Sequence, residues 1–263
     1  MFSRFFARRV HEGAPAQVTE PEKPSRSYEV GWLFNSEKTS IIWGAPEPTR
    51  EPSQSASPKS VGVCPAVIEF DRRHFIIPCP IDVHLRLATT PDGKINVTNM
   101  QMQGAVRPGA LNQMVVFMPQ PEWRHPERPV IQIATPYLFI SDDPIYINQF
   151  PPFLHYGGAP WPGIQLCGRY PIDIWPRPLM WALEWHDTSK DLILKRGEPW
   201  FYVRFEGPDP SAQVRLVEAQ MTPDLRSYVD SITDVTNYVN RSFSLFKTAR
   251  ERRPEKLLVP KKA

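Results

Sequence analysis

The chain has 263 residues, of which 41% are hydrophobic and 31 are proline, and its formal net charge is +3. Proline makes up about 12% of the residues against a usual share of about 5%, and each proline lacks a backbone donor, so a mostly helical protein is excluded. The hydrophobic content and the 11% of aromatic residues exclude a wholly disordered chain. No run approaches the roughly 18 apolar residues of a membrane-spanning helix. We therefore expect a soluble, β-rich globular protein with tails.

The positive charge is concentrated at the two ends of the chain. Residues 1–10 carry +3 and residues 247–263 carry +5, which leaves −5 on the 236 residues between them. Basic ends suit an anionic partner such as nucleic acid, an acidic membrane surface or an acidic protein face. Solvated tails are the alternative interpretation.

The cysteines and the N-terminal residues indicate the compartment. The three cysteines form no CxxC pair, and residues 1–10 lack the apolar run of a secretory signal. We expect a protein of the cytoplasm or of an assembled particle, not a secreted one. Peripheral membrane association is the alternative.

The first residues alternate phenylalanines and arginines at helical spacing. This pattern is typical of a short amphipathic basic helix that lies on a membrane or docks on a partner. Residues 1–27 are predicted to be a basic amphipathic tail and linker. Its candidate partner-binding residues are Phe2, Phe5, Phe6, Arg8 and Arg9.

Residues 28–221 predict one β domain. A hairpin-like pair, Tyr28–Phe34 and Ser40–Trp43, precedes residues 46–60, which are poor in apolar side chains and are expected to form a flexible loop. A series of short runs rich in Val, Ile and aromatic residues follows, separated by proline turns and without a helical pattern between them. The runs are Ala66–Phe70, Phe75–Ile77, Ile81–Ala88, Ile95–Met100, Met114–Met118, Val130–Ala134, Tyr137–Ile140, Ile145–Asn148, Leu179–Trp185, Leu192–Lys195, Trp200–Phe205 and Val214–Ala219. They predict an antiparallel β-sandwich or jelly roll, in which Pro91–Gly93 turns the third run back along the fourth.

The pattern changes at Thr222, which fits an N-cap followed by proline at the first helical position. Apolar residues then recur at steps of three and four, so residues 222–253 predict one long amphipathic helix of roughly 35–40 Å. It would pack along the β domain or pair with a partner chain, and residues 254–263 would form a basic tail. The candidate partner-binding residues at this end are Tyr228, Ile232, Val239, Phe243, Arg250 and Arg253.

Four segments carry a family resemblance. Cys79–Leu87 (CPIDVHLRL) is followed by a Pro/aromatic stretch around Pro151–Gly163, then by Pro178–Trp185 (PLMWALEW) and Lys195–Val203 (KRGEPWFYV). This order resembles a family of uncharacterised bacterial and phage proteins, a domain of unknown function, over about residues 64–206. The resemblance implies no activity and no catalytic residues.

One catalytic alternative is a mononuclear metal site in a jelly roll. Asp82 and His84 lie two residues apart and would face the same side of a strand, with His186 or His155 as a third ligand. Two histidines and a carboxylate are the ligands of non-haem iron oxygenases, although the acid here precedes the histidine. Neither a Gly-x-Ser-x-Gly motif nor a glycine-rich phosphate loop is present.

The most distinctive local feature is Phe150–Gly163 (FPPFLHYGGAPWPG). Proline stiffens it, so little conformational entropy is lost on binding, and Phe153, Tyr156 and Trp161 offer flat apolar area for a partner. A rigid loop that only covers the core is the alternative. No Lys or Arg lies between residues 150 and 168, which argues against a nucleic-acid platform there.

These patterns favour a non-enzymatic structural or interaction subunit of a larger assembly. It would dock through its basic ends and the Pro/aromatic loop, bind a protein partner or itself, and need no cofactor. The alternatives are an iron oxygenase that uses Asp82, His84 and His186, and a protein that binds nucleic acid or an anionic membrane.

Overall fold

The structure is a computed structural model, and it describes residues 27–36, 42–49, 60–91, 94–100, 109, 113–155, 160–233 and 242–262. Within these ranges the chain is mainly β, as predicted. The strands are β1 (Ser27–Phe34), β2 (Glu47–Pro48), β3 (His74–Pro78), β4 (Val83–Thr89), β5 (Ile95–Asn99), β6 (Val115–Phe117), β7 (Val130–Ala134), β8 (Tyr137–Ile140), β9 (Tyr146–Phe150), β10 (Gly163–Gln165), β11 (Arg169–Pro171), β12 (Met180–Trp185), β13 (Leu192–Leu194), β14 (Pro199–Glu206) and β15 (Gln213–Glu218). The α-helices are α1 (Pro65–Asp71), α2 (Pro223–Thr233) and α3 (Ser242–Arg252).

The described strands form four sheets with the orders β15-β1-β8, β10-β12-β7-β6, β11-β9-β14-β3-β2 and β13-β4-β5. The pairing is antiparallel apart from β1 with β15, which is parallel. Several antiparallel sheets around a shared core are consistent with the predicted β-sandwich. The predicted return of the fourth run along the third is confirmed, because β4 and β5 pair with Arg86 opposite Thr98.

The predicted N-terminal hairpin is not shown, and residues 37–41 lie outside the described part of the chain. β1 pairs with β15 and β8, and Trp43 lies outside any strand. The Trp43 ring is buried and contacts Tyr137 and Trp200 at centroid distances of 5.6 and 6.1 Å. Strand β1 has buried residues on both faces, Val30 on one and Leu33 on the other, which suits a strand with a partner on each side.

The strand predicted at residues 66–70 is wrong. The run reads as a strand, but it forms helix α1, which starts with a proline at its first position. Short apolar runs do not separate helix from strand by periodicity. Here the first-turn proline and the Glu69–Arg73 ion pair one helical turn apart favour the helix. Strand β2 lies in the stretch predicted as a loop. Strands β10 (GIQ) and β11 (RYP) were missed because neither contains an apolar run.

The main core lies among the inner faces of these sheets and is rich in large rings. In β14, Trp200, Tyr202, Phe201 and Val203 are all buried, so both faces of this strand lie in the interior. β14 lies between β3 and β9 in its sheet, which explains why both of its faces are covered.

A second core lies on the opposite face of the β15-β1-β8 sheet. Leu33, Leu138 and Ile140 face it from the sheet, and α2 closes it with residues that include Leu225 and Tyr228. Thr222 caps α2 as predicted, because its Oγ1 accepts a hydrogen bond of 3.1 Å from the Leu225 backbone N–H.

A single long helix over residues 222–253 is not shown. α2 and α3 have 11 residues each, and residues 234–241 between them lie outside the described part of the chain. Among the α3 side chains that the structure describes, Leu245 and Ala249 are buried, whereas the predicted stripe passes through Phe243 and Phe246. The buried face of α3 is therefore not a continuation of the apolar stripe predicted from the sequence of a single helix.

The predicted basic tail is instead built into the fold. Leu257 and Leu258 are buried in the second core, and Pro260 forms an antiparallel bridge with Ala219. The backbone N–H groups of both leucines donate to Asp142 Oδ1, at 2.6 and 3.3 Å. The lysines of this C-terminal segment are exposed, while its leucines fix the backbone to the second core.

Candidate functional site

A cleft of about 410 Å³ lies between the Pro/aromatic loop and the turn that joins β13 to β14. We call it the loop cleft. Its walls are mainly proline and aromatic rings together with Ile193 and Leu194, and its polar residues are few. The residues that line it are Cys79, Pro151, Pro152, Phe153, His155, Pro160, Trp161, Ile193, Leu194, Lys195, Glu198, Pro199 and Trp200.

The described ends of the loop are fixed by backbone hydrogen bonds. At one end, the Phe153 and His155 N–H groups donate to the carbonyl oxygens of Pro151 and Pro152, at 2.8 and 3.0 Å. At the other end, Pro162 O accepts from the N–H groups of residues 186 and 187, each at 2.8 Å. Gly163 follows, where a Cβ would lie 1.9 Å from a backbone oxygen of β12. Only glycine permits this close approach, so the loop leaves the sheet at a set angle.

Aromatic contacts hold the loop side chains that sequence analysis singled out. Trp161 packs edge-on against buried Trp181 with ring centroids 5.4 Å apart. Phe153 packs on Tyr202 at 5.1 Å and on His74 at 5.5 Å, and it remains 37% exposed. Phe153 and Trp161, two of the three aromatic residues proposed from the sequence as partner-binding, line the loop cleft. The third, Tyr156, lies outside the described residues.

The polar groups of the cleft are not a nucleophilic centre. Burial raises the pKa of Cys79 to about 12, and its Sγ donates to Ile81 O at 3.1 Å, so the thiol stays protonated. Lys195 and Glu198 bring one charge of each sign. Trp200 Nε1 and His155 Nε2 are buried and have no hydrogen-bond partner among the described residues.

His74 supports the loop from below. It is buried, its Nδ1–H donates to Phe70 O at 2.8 Å, and its ring contacts Phe70 and Phe153. Burial is the main reason that the pKa of His74 lies below its usual value; nearby Arg204 lowers it further, while the Phe70 hydrogen bond and Asp71 oppose the shift.

We predict that acid weakens the fold through His74. Because the folded state lowers this pKa, its stabilising effect is complete above pH ~6.5 and is lost as the pH falls below that value, at no more than about 1.4 kcal/mol per pH unit. The measurement is the free energy of unfolding in urea from pH 7.5 to 5 for the wild type and for His74→Phe. The free energy of unfolding of the wild type should fall relative to that of His74→Phe as the pH falls. A constant difference would contradict the prediction, and His125→Gln, at a partly exposed histidine, is the control.

The three predicted iron ligands have separate partners. His84 Nε2 lies 2.6 Å from Asp191 Oδ2, whereas Asp82 Oδ1 accepts from the Arg196 N–H at 2.9 Å. His186 Nε2 lies 2.9 Å from Glu184 Oε1. In the described part of the chain no three His, Cys, Asp or Glu side chains come together as a metal site. The predicted ligand set is therefore not assembled, and the iron-oxygenase alternative stays a prediction.

Sequence reasoning missed the acids that organise these pairs. Glu184 is 1% exposed, and a hydrogen bond of 2.8 Å from Arg124, helped by His186, lowers its pKa to about 2 against the effect of burial. Asp191 accepts two hydrogen bonds of 2.8 Å from Arg86, which with His84 hold its pKa well below the usual range. The sequence did hold a signal for Glu184, because a carboxylate within the apolar run of β12 needs a partner when it is buried. No sequence signal marked Asp191, since it lies over 100 residues from its partners His84 and Arg86.

The predicted docking residues at the two ends fare differently. Phe2, Phe5, Phe6, Arg8, Arg9 and Val239 lie outside the described residues, and the side chain of Phe243 does as well. Tyr228 and Ile232 are buried in the second core, so their assignment to a partner surface is wrong. Tyr228 Oη lies 2.7 Å from Ile174 O and 2.9 Å from Ala249 O, and burial raises its pKa to about 12.

The two C-terminal arginines also differ. Arg250 is exposed, as its predicted role requires. Arg253 is bonded internally: its side chain is 16% exposed, and its Nε donates to Asp173 O at 2.6 Å. An arginine occupied in this way does not meet an anionic partner.

No protein-family model, curated protein or solved structure matches this chain. The resemblance to the family of uncharacterised bacterial and phage proteins stays a prediction. Among the described residues, no helix combines the length and the apolar character required to cross a bilayer.

Proposed function

We propose that this protein is a non-enzymatic interaction subunit of a larger assembly, and that the loop cleft holds a proline-rich segment of a partner polypeptide. The observation that carries the proposal is the cleft itself, in which rings from the loop face rings from β14 across about 410 Å³. Proline-rich segments bind in aromatic-lined grooves because their extended conformation is formed before binding. The proposal includes membership of the family of uncharacterised bacterial and phage proteins that the sequence resembles.

The unpaired donor in the wall supports this occupant. Trp200 Nε1–H is buried without an acceptor among the described residues, although buried indole N–H groups usually have one. A polyproline II segment has no internal hydrogen bonds, so its carbonyl oxygens are free to accept. The Trp200 N–H would reach such a carbonyl oxygen once the atoms that cover it in the free protein move aside on binding.

The charge of the cleft points the same way. Lys195 and Glu198 are its charged residues, one of each sign, so no net field selects an anionic ligand. Since the described part of the C-terminal segment is anchored in the fold, docking through it is limited to its exposed side chains. The proposal accordingly places recognition in the loop cleft.

The test uses two isoleucines that are matched in exposure. Ile193 and Ile164 each lie on a short strand and are each 47% exposed, but only Ile193 lines the loop cleft. The probe is fluorescein-labelled decaproline, measured by fluorescence anisotropy. We expect Ile193→Ser to weaken binding about fivefold, because losing ~40 Å² of apolar contact costs about 1 kcal/mol.

Ile164→Ser should bind the probe like the wild type, and a Gly/Ser decapeptide should not bind any of the three proteins. The proposal is wrong if decaproline binds no better than the Gly/Ser peptide. It is also wrong if both serine variants lose the same affinity, since binding would then not involve the cleft.

A further inference from the structure

Strand β15 forms one border of the β15-β1-β8 sheet. The Ala219 N–H donates to Trp32 O of β1 at 2.9 Å, which sets the direction of the backbone groups along this chain segment. Because these groups alternate between the two sides of a strand, those of Val214 and Leu216 point away from β1. In the described ranges no strand pairs with β15 at these two residues.

The chain already uses this outer side of the segment further along. Pro260 bridges Ala219 in antiparallel fashion, the Lys261 N–H donates to Glu218 O at 2.8 Å, and the Gln220 N–H donates to Val259 O at 2.8 Å. An extended segment is therefore accepted at Glu218–Gln220. The same side continues without such a partner at Leu216 and Val214.

An apolar groove lies beside the start of this open edge. It encloses about 490 Å³, and Ile68, Phe75, Phe205 and Val214 contribute apolar walls. Charged residues of α1 and of the turn that follows it, including the Glu69–Arg73 ion pair, line it as well. Unpaired strand edges are templates for a further strand, and neighbouring pockets select its side chains.

We propose that the outer edge of β15 binds an extended segment of a partner polypeptide, which adds as a strand beside Val214 and Leu216 and places an apolar side chain in this groove. The site is separate from the loop cleft and does not depend on it. A second copy of this chain is the alternative occupant, which a dimeric native mass would reveal.

The test combines a peptide probe with a proline substitution. Proline at residue 216 removes an N–H that points outward, so it leaves the β1 ladder intact, whereas Leu216→Ala removes the side chain and keeps the N–H. The probe is a fluorescein-labelled Thr-Val-Thr-Val-Thr-Val peptide, with a version N-methylated at alternate residues as the peptide control. We expect Leu216→Pro to bind the probe at least ten times more weakly than Leu216→Ala, with both variants keeping the wild-type circular dichroism spectrum.

Amide hydrogen exchange gives a readout that does not depend on the variants. In the free protein, the Val214 and Leu216 amides should exchange at least 100 times faster than that of Arg215, which points toward β1, and the peptide should slow both. Ile193→Ser should bind this peptide normally, which separates the proposal from that for the loop cleft. Equal binding by the two Leu216 variants, or absence of binding to the wild type, would overturn it.

Protection of Val214 and Leu216 in the free protein would also overturn the proposal. The native mass would then identify what covers the edge. A monomer would indicate another segment of this chain, and a dimer would indicate a second copy.

Discussion

Replacing Gly31 by valine should remove about 3 kcal/mol of stability, a drop of roughly 6–12 °C in the unfolding midpoint. A Cβ at this position would lie 2.9 Å from both Ala219 Cβ and Ile140 Cγ1, and 3.2 Å from Leu258 Cγ. These atoms belong to the second core, where the C-terminal segment meets the β15-β1-β8 sheet. Since Ala219 has no rotamer to change, the backbone of the strand or of the C-terminal segment must move.

Thermal unfolding monitored by circular dichroism measures the effect. Gly168→Val is the matched control, because a Cβ there meets no atom within 4 Å. We expect the control to stay within about 0.5 kcal/mol of the wild type, as is usual for surface positions. If both valine variants unfold at the same temperature, the packing of the C-terminal segment on β1 is not as tight as the structure shows.

Replacing Arg253 by alanine should cost about 3 kcal/mol and loosen the C-terminal segment. Its guanidinium donates to Asp173 O, to Pro254 O at 2.8 Å and to Glu255 O at 3.0 Å, and its Nη2 lies 3.3 Å from Asp142 Oδ1. Hydrogen bonds that involve a charged group contribute ~1.5–3 kcal/mol each, and removing the donor leaves the carbonyl oxygens unpaired. Arg253→Lys should restore little of this, because lysine lacks the planar fork that reaches several acceptors at once.

Urea unfolding gives the free energy, and hydrogen exchange locates the effect. The amides of Gln220 and Lys261, which hold the C-terminal segment to the sheet, should exchange faster in Arg253→Ala. Arg250→Ala is the control, since Arg250 lies exposed on α3. Equal stability of the two alanine variants would show that Arg253 does not anchor the chain and would return it to the set of candidate partner contacts.

The contacts around Gly31 and Arg253 change the functional interpretation of the C-terminal end of the chain. The cluster of C-terminal charge suggested a tail that meets an anionic partner, yet its arginine at residue 253 and its two leucines serve the fold. Among the described residues, our proposals place recognition in the loop cleft and at the outer edge of β15, and exposed Arg250 stays a candidate partner contact. Both present apolar walls with unpaired backbone or ring donors, a combination that suits polypeptide ligands.

The sequence predicted the β class and most strand positions because alternating and apolar runs of four to eight residues are local signals. The Thr222 cap and the β4–β5 return were also predictable, since a helix start and a short turn depend on a few adjacent residues. The Pro/aromatic loop stood out for the same reason: proline and aromatic side chains are visible one residue at a time. Phe153 and Trp161 could therefore be identified as candidates before the cleft they line was known.

Only the tertiary structure decided which of these features face each other. The parallel pairing of β1 with β15 joins residues about 186 positions apart, as does the contact of Arg215 with Glu29. The cleft arises where the loop meets the β13–β14 turn, and the acids Glu184 and Asp191 take up histidines that sequence spacing had assigned to a metal. Such outcomes depend on the free energy of packing whole sheets together, to which residues distant in sequence contribute jointly. Local propensity sets the elements, and burial of their apolar faces selects the arrangement that brings a binding surface into being.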